Sequence, residues 1–133
     1  MPEANDWNKK VIEEFRAKGG QVDRPLLLLH TVGAKSGRAH LNPVAYTRDG
    51  DHLVIIASNN ARPTNPDWYL NLLAHPQITV EVGAETFPVI ASVPGEPERT
   101  RLFDQMAAVL PGFGEYRTKT TRQIPVVVLT RTH

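Results

Sequence analysis

Two glycines bracket a lysine and a serine in Gly33-Ala34-Lys35-Ser36-Gly37-Arg38, and an arginine closes the run. Glycines let successive backbone N–H groups turn toward one anion, and the two cations can neutralise it. That is chemistry suited to a phosphate, carried by a nucleotide-like cofactor or a nucleic acid. A surface hairpin kept soluble by Lys35 and Arg38 has the same composition, so both readings stand. A Walker A loop is excluded, because there the lysine follows the second glycine and a helix comes next. Here Leu41-Asn42-Pro43-Val44-Ala45-Tyr46-Thr47 follows, an extended segment.

A second polar stretch, Ala57-Ser58-Asn59-Asn60 through Asn65-Pro66, adds small donors and a helix start with free N–H groups. Trp68 just beyond can stack on a flat ring or pack in the core. The five histidines, His30, His40, His52, His75 and His133, are scattered without metal-ligand spacing. There is no Gly-x-Ser-x-Gly and no evident nucleophile–base pair. An anion cradle without its own acid, base or metal is the profile of a cofactor user, with the cofactor as reactive centre.

The elements that must position these residues follow from periodicity and turn chemistry. Trp7, Val11, Ile12 and Phe15 recur at helical spacing, capped by Asn5 or Asp6 and ended by Gly19-Gly20. This amphipathic helix, within residues 1–20, covers a core; weak attachment to a membrane surface is the alternative reading. Pro25–Thr31 reads as a strand buried on both faces, and His40–Arg48 as a second extended segment. Asp49-Gly50-Asp51 turns Val44–Arg48 into His52–Ala57. Asn65 as N-cap and Pro66 as first residue begin a short helix to Ala74, with Trp68, Tyr69 and Leu72 inward. Gln77–Val82 and Glu85–Val93 form a hairpin about Gly83-Ala84. Glu96–Val109 is a helix with Leu102, Phe103, Met106 and Val109 on one stripe, and Ile124–Leu129 is the closing strand. About six antiparallel strands with three helices predict a small β-barrel over 26–130 rather than a Rossmann fold.

The 133 residues predict one domain, able to bury its own core. A net charge near +1 argues against a dedicated nucleic-acid partner, and the absence of cysteine rules out disulfides and thiolate metal sites. No apolar run is long enough to span a bilayer, and no signal peptide is visible at Met1-Pro2-Glu3, so a cytoplasmic protein is expected. The membrane-surface alternative would place it at the inner membrane face.

Taken together, the motifs resemble the deazaflavin-dependent nitroreductase family, split-β-barrel reductases that use the reduced coenzyme F420, including their quinone-reductase type. The matching elements are Thr31-x-Gly33-x-Lys35-Ser36-Gly37, Asn42-Pro43, Ala57-Ser58 and Asn65-Pro66-x-Trp68-Tyr69-x-Asn71-Leu72. Pro111-x-Phe113-x-x-Tyr116 and Arg122-x-Ile124-Pro125-Val126-Val127-Val128 complete the series, in family order. The resemblance implies a Greek-key split barrel with the coenzyme in a groove across it. Lys35, Ser36 and Gly37 would hold its phosphate, with Gly33, Arg38, His40, Asn42, Pro43 and Asn59 around them. Ala57, Ser58, Asn65, Pro66 and Trp68 would line the ring pocket.

The implied activity is hydride transfer from reduced deazaflavin to a quinone, an enone or another conjugated or nitro acceptor. Tyr116, or Ser58 through a water, would hydrogen-bond the acceptor's oxygen; Tyr116 as a mere lid is the alternative. The chain departs from the family at Asn59-Asn60-Ala61, where Lys-Gly-Gly is common, and at His40, where arginine is common. Ala45, Leu110 and Phe113 stand where a well-known nitroreductase has tyrosines, which favours a quinone-like acceptor over bulky nitroimidazoles. Two other functions fit the same residues: an FMN-dependent oxidoreductase of the pyridoxamine-oxidase-like barrels, or a non-catalytic F420 carrier.

Overall fold

The computed structural model describes residues 6–19, 26–57, 65–110, 115 and 123–132. Among these residues the helices are α1 (Asp6–Ala17), α2 (Asp67–Ala74) and α3 (Glu98–Val109). The strands are β1 (Leu26–Val32), β2 (Ala39–Ala45), β3 (Thr47–Asp49), β4 (His52–Ile56), β5 (Gln77–Val82), β6 (Glu85–Ser92) and β7 (Val126–Arg131). They form one antiparallel sheet in the order β2-β1-β5-β6-β7-β4-β3. The sheet curls into a half-barrel. Its outermost strands, β2 and β3, are consecutive in the chain and separated only by Tyr46. The segment read as one extended run is therefore two strands, which raises the count from about six to seven.

Alternation along the strands sorts side chains between the concave and convex faces. Leu27, Leu29, Leu53, Ile55, Val80, Val89, Val127 and Leu129 meet inside, and Trp68, Tyr69 and Leu72 of α2 join them. On the convex face α3 places Leu102, Phe103 and Met106 over Val54, Ile56 and Val126. Burial of side chains this size stabilises by roughly 1.5–3 kcal/mol each before entropy is counted. Val109 departs from its expected stripe: it is the last residue of α3 and 58% exposed.

Helix α1 lays Ile12 and Phe15 on Leu28, with Leu26 and Leu41 alongside. Its apolar stripe thus covers its own sheet, as the core reading expected; the Trp7 side chain lies outside the description. Arg16 adds a bidentate pair to Glu81 of β5, Nε at 3.2 Å and a terminal nitrogen at 2.7 Å. His30 Nε2 stands 2.6 Å from the same carboxylate. Arg16 chiefly, and His30 after it, hold the Glu81 carboxyl below the usual range against the opposing effect of burial.

Two helix starts differ from expectation. Pro66, not Asn65, is the N-cap of α2: its backbone is extended (φ −68°, ψ 155°) and its carbonyl accepts from the Tyr69 N–H at 3.1 Å. No cap side chain takes part. Helix α3 begins two residues late because Pro97 is its N-cap, and the Glu96 carboxylate accepts instead from the Thr100 N–H at 2.9 Å. No described helix is long and apolar enough to cross a membrane.

Candidate functional site at the β1–β2 loop

The loop at 33–38 joins β1 to β2 and is held from within. The Gly33 N–H donates to the Arg38 carbonyl at 2.8 Å, and the Gly37 N–H to the Gly33 carbonyl at 3.0 Å. The Arg38 N–H donates to Ser36 Oγ at 3.2 Å. Gly37 has φ +70°, the left-handed region that glycine enters without a Cβ penalty. At Gly33 the constraint is space rather than dihedral angle. A Cβ there would collide with Ser36 Oγ and stand 3.1 Å from His40 Nε2.

The fourth internal bond comes from α2. Ala34 N–H donates to Asn71 Oδ1 at 2.9 Å, and Asn71 Nδ2 donates to Thr31 Oγ1 at 3.2 Å. Asn71 and Thr31 are both buried. The loop's inner amides are thus spoken for. Among the described residues, the Lys35 and Ser36 N–H groups have no acceptor. A cradle of several amides was expected; among the described residues the loop leaves two open.

Charge completes the picture. Lys35 and Arg38 are exposed, and neither forms an ion pair with a described residue. Two unpaired cations, two open amides and the Ser36 hydroxyl make a donor set suited to a phosphate with carboxylates beyond it.

Register decides which expected residues join this loop. His40 lies opposite Thr31, and Asn42 opposite Leu29, on the concave face. Pro43 lies opposite Leu28, whose side chain packs under α1, so Pro43 falls on the convex face, away from the others. At the same end of the half-barrel, β4 is followed directly by Ala57, which is fully buried and donates its N–H to the Pro125 carbonyl at 3.0 Å. Pro66 is buried at the head of α2 and Asn65 half-buried beside it. Trp68 shares a cluster with Ala57 and is 8% exposed, so most of its surface serves the core. Ser58, Asn59 and Tyr116 lie outside the described residues, as do Phe113 and Arg122.

Asn71 is the residue that reasoning from sequence left without a role. Its signal was present: a polar residue on the inward stripe of α2, between Trp68 and Leu72. A cavity of about 470 Å³ lies elsewhere, lined by Arg48, His52, Glu85, Phe87 and Arg131 among others. These line the opposite ends of β4 and β7, and the cavity contains none of the expected site residues.

A curled seven-strand antiparallel half-barrel, carrying a loop with two exposed, unpaired cations at one end, defines a split-barrel protein. The profile of the F420H(2)-dependent quinone reductase family matches residues 7–131, and the chain belongs to that family. It is 41% identical to an F420H(2)-dependent quinone reductase of Mycobacterium tuberculosis, over 88% of this chain and 85% of that protein. Among solved structures it is similar to an F420-H2 dependent reductase (TM-score 0.73, 33% identity, 81% of this chain and 96% of the other). A chain described as a domain-swapped dimer is also similar (TM-score 0.75, 32% identity, 93% and 97% covered).

Proposed function

We propose that this chain is an F420H2-dependent reductase that passes a hydride from the reduced deazaflavin to a quinone-like conjugated acceptor. The observation that carries the reading is the pair of unpaired cations, Lys35 and Arg38, on a loop braced against the helix that begins beside the ring-lining positions. Membership of the F420H(2)-dependent quinone reductase family supports it. The residues present fit the group. Lys35, Ser36 and Arg38 would meet the phosphate and the acidic tail, with Gly33 leaving room for Ser36 and His40 to close against the loop.

When bound, the reduced deazaflavin supplies the hydride, so the protein needs no redox group of its own. Ala57, Asn65, Pro66 and Trp68 would form the wall that orients the ring, while Asn42 and His40 close the side formed by β2. Holding both reactants in one groove converts a collision into a step between neighbours. The Tyr116 hydroxyl, or Ser58 through a water, would hydrogen-bond the acceptor oxygen as negative charge develops on it.

The test is a fluorescence titration of the purified protein with F420, with FMN in parallel, followed by F420H2 oxidation with menadione as the quinone. Salt-sensitive F420 binding and quinone-dependent turnover are expected. FMN binding without F420 binding would move the chain to flavin chemistry, and F420 binding without turnover would make it a carrier. Tyr116→Phe should lower kcat about 100-fold if the hydroxyl stabilises the transition state. An unchanged rate would reduce Tyr116 to a shield.

A further inference from the structure

We infer that Asn71 is a positioning residue that sets the phosphate loop against the ring wall, so that coenzyme recognition is read at two linked points. This rests on the reading that the loop at 33–38 takes the coenzyme's phosphate. Asn71 sits on α2, the helix whose first turn carries Trp68 and whose N-cap is Pro66. Its side chain reaches the loop from there. An amide N–H can only donate, so the Ala34 N–H fixes which end of the carboxamide is oxygen, and Nδ2 is left to meet Thr31 Oγ1. Both ends of one buried side chain are therefore used, each on a different residue of the β1 exit.

The consequence is directional. With the Ala34 N–H drawn inward to Asn71, the next two amides, Lys35 and Ser36, are the ones left open. The same helix turns its inner stripe of Trp68, Tyr69 and Leu72 into the half-barrel. A shift of α2 moves the ring wall and the phosphate loop together, and loss of the Asn71 contacts lets them move apart. A ligand carrying both ring and phosphate gains from that coupling. A ring without a phosphate does not.

The test is Asn71→Leu, which keeps the side chain's size and removes both hydrogen bonds. Binding of F420 and of its phosphate-free deazaflavin riboside is measured by fluorescence on variant and wild type, with Lys35→Ala alongside. Expected is a loss of about tenfold in F420 affinity, the size of one ordinary hydrogen bond, with riboside affinity changed by less than about twofold. Amide exchange at Ala34 should quicken in the same variant. Equal losses for both ligands would make Asn71 a fold residue only and overturn the inference, as would no loss at all. If Asn71→Leu binds F420 normally while Lys35→Ala does not, the inference fails and the phosphate reading stands. If Lys35→Ala is also normal, the phosphate reading falls and takes the inference with it. Should Asn71→Leu not fold, Thr31→Val decides. It removes one of the two bonds without touching α2, and a smaller selective loss for F420 supports the inference where none overturns it.

Discussion

Two arginine- and lysine-bearing corners of this molecule handle their charge in opposite ways. At the start of α3, Arg101 pairs with Asp49 at 2.9 Å and with Glu98 at 2.5 Å, and Arg99 meets Glu96 at 3.0 Å. Each cation there is answered from within the fold; Arg101 holds Asp49 and Glu98 below the usual carboxylate range, and Glu96 is held there chiefly by Thr100, with Arg99 after it. At the β1–β2 loop Lys35 and Arg38 are left unanswered by any described carboxylate. Charge that a protein neutralises internally ties elements together. Charge left open, on a loop held by three bonds of its own and one from α2, stays available to a ligand, as the proposed function requires.

The strongest way to break that contrast is to remove the open charge. Lys35→Ala with Arg38→Ala should weaken F420 binding by about 100-fold at low salt, since charge-assisted hydrogen bonds contribute roughly 1.5–3 kcal/mol each and the pair is exposed. The loss should shrink as salt is added to both proteins. A fluorescence titration reads it, and an unchanged affinity would return the loop to an ordinary hairpin. Gly33→Ala strikes the same loop through shape. The added methyl would meet the Ser36 hydroxyl and the His40 ring tip, side-chain ends that can turn away, so Tm should change little while F420 binding weakens as Ser36 leaves its place.

The paired corner should behave differently. Arg101→Ala breaks two surface ion pairs, yet F420 affinity should stay within about twofold, because the site is at the other end of β4 and distant changes act independently. A large loss of binding there would erase the distinction between the two corners.

The smallest effect concerns the third ionic cluster, where α1 meets the sheet. Glu81 titrates below its ordinary value in the folded state, chiefly through Arg16, so its contribution is complete above the ordinary carboxylate range and lost as pH falls through the lowered value. Glu81→Gln should therefore cost about 0.5 kcal/mol at neutral pH, since the Arg16 partner is half exposed, and should nearly abolish the difference in strong acid. Thermal melts of both proteins across that range would show it.

Much of this was legible along the chain because the signals are local. The β5–β6 hairpin was bounded by strict alternation on either side of Gly83-Ala84, and β5 runs over Gln77–Val82 as read. The amphipathic stripe of α1 pointed to its own sheet, and the Leu27–Leu29 run announced a strand covered on both faces. What escaped depends on neighbours far away in sequence. The bend at Tyr46 divides a run that reads as one strand, because its two halves pair with β1 and β4 at opposite edges of the sheet. Pro43 was grouped with Asn42 by adjacency, whereas the pleat sends adjacent side chains to opposite faces. Asn71 could be seen as polar among apolar neighbours, but its partners lie 37 and 40 residues away and belong to another element.

The division of one run at Tyr46 has a mechanical side. Written as a list, the sheet has two ends, β2 and β3, and an exposed end is where a sheet recruits foreign strands. Here the two ends are one covalent piece with a single residue between them, so the seam is stitched by the backbone itself. A residue inserted beside Tyr46 would slide one outer strand along its partner, and because side chains alternate, a slip of one place turns an entire strand inside out. If that strand is β2, it begins at the loop 33–38. The seam and the site are therefore set by the same short length of chain.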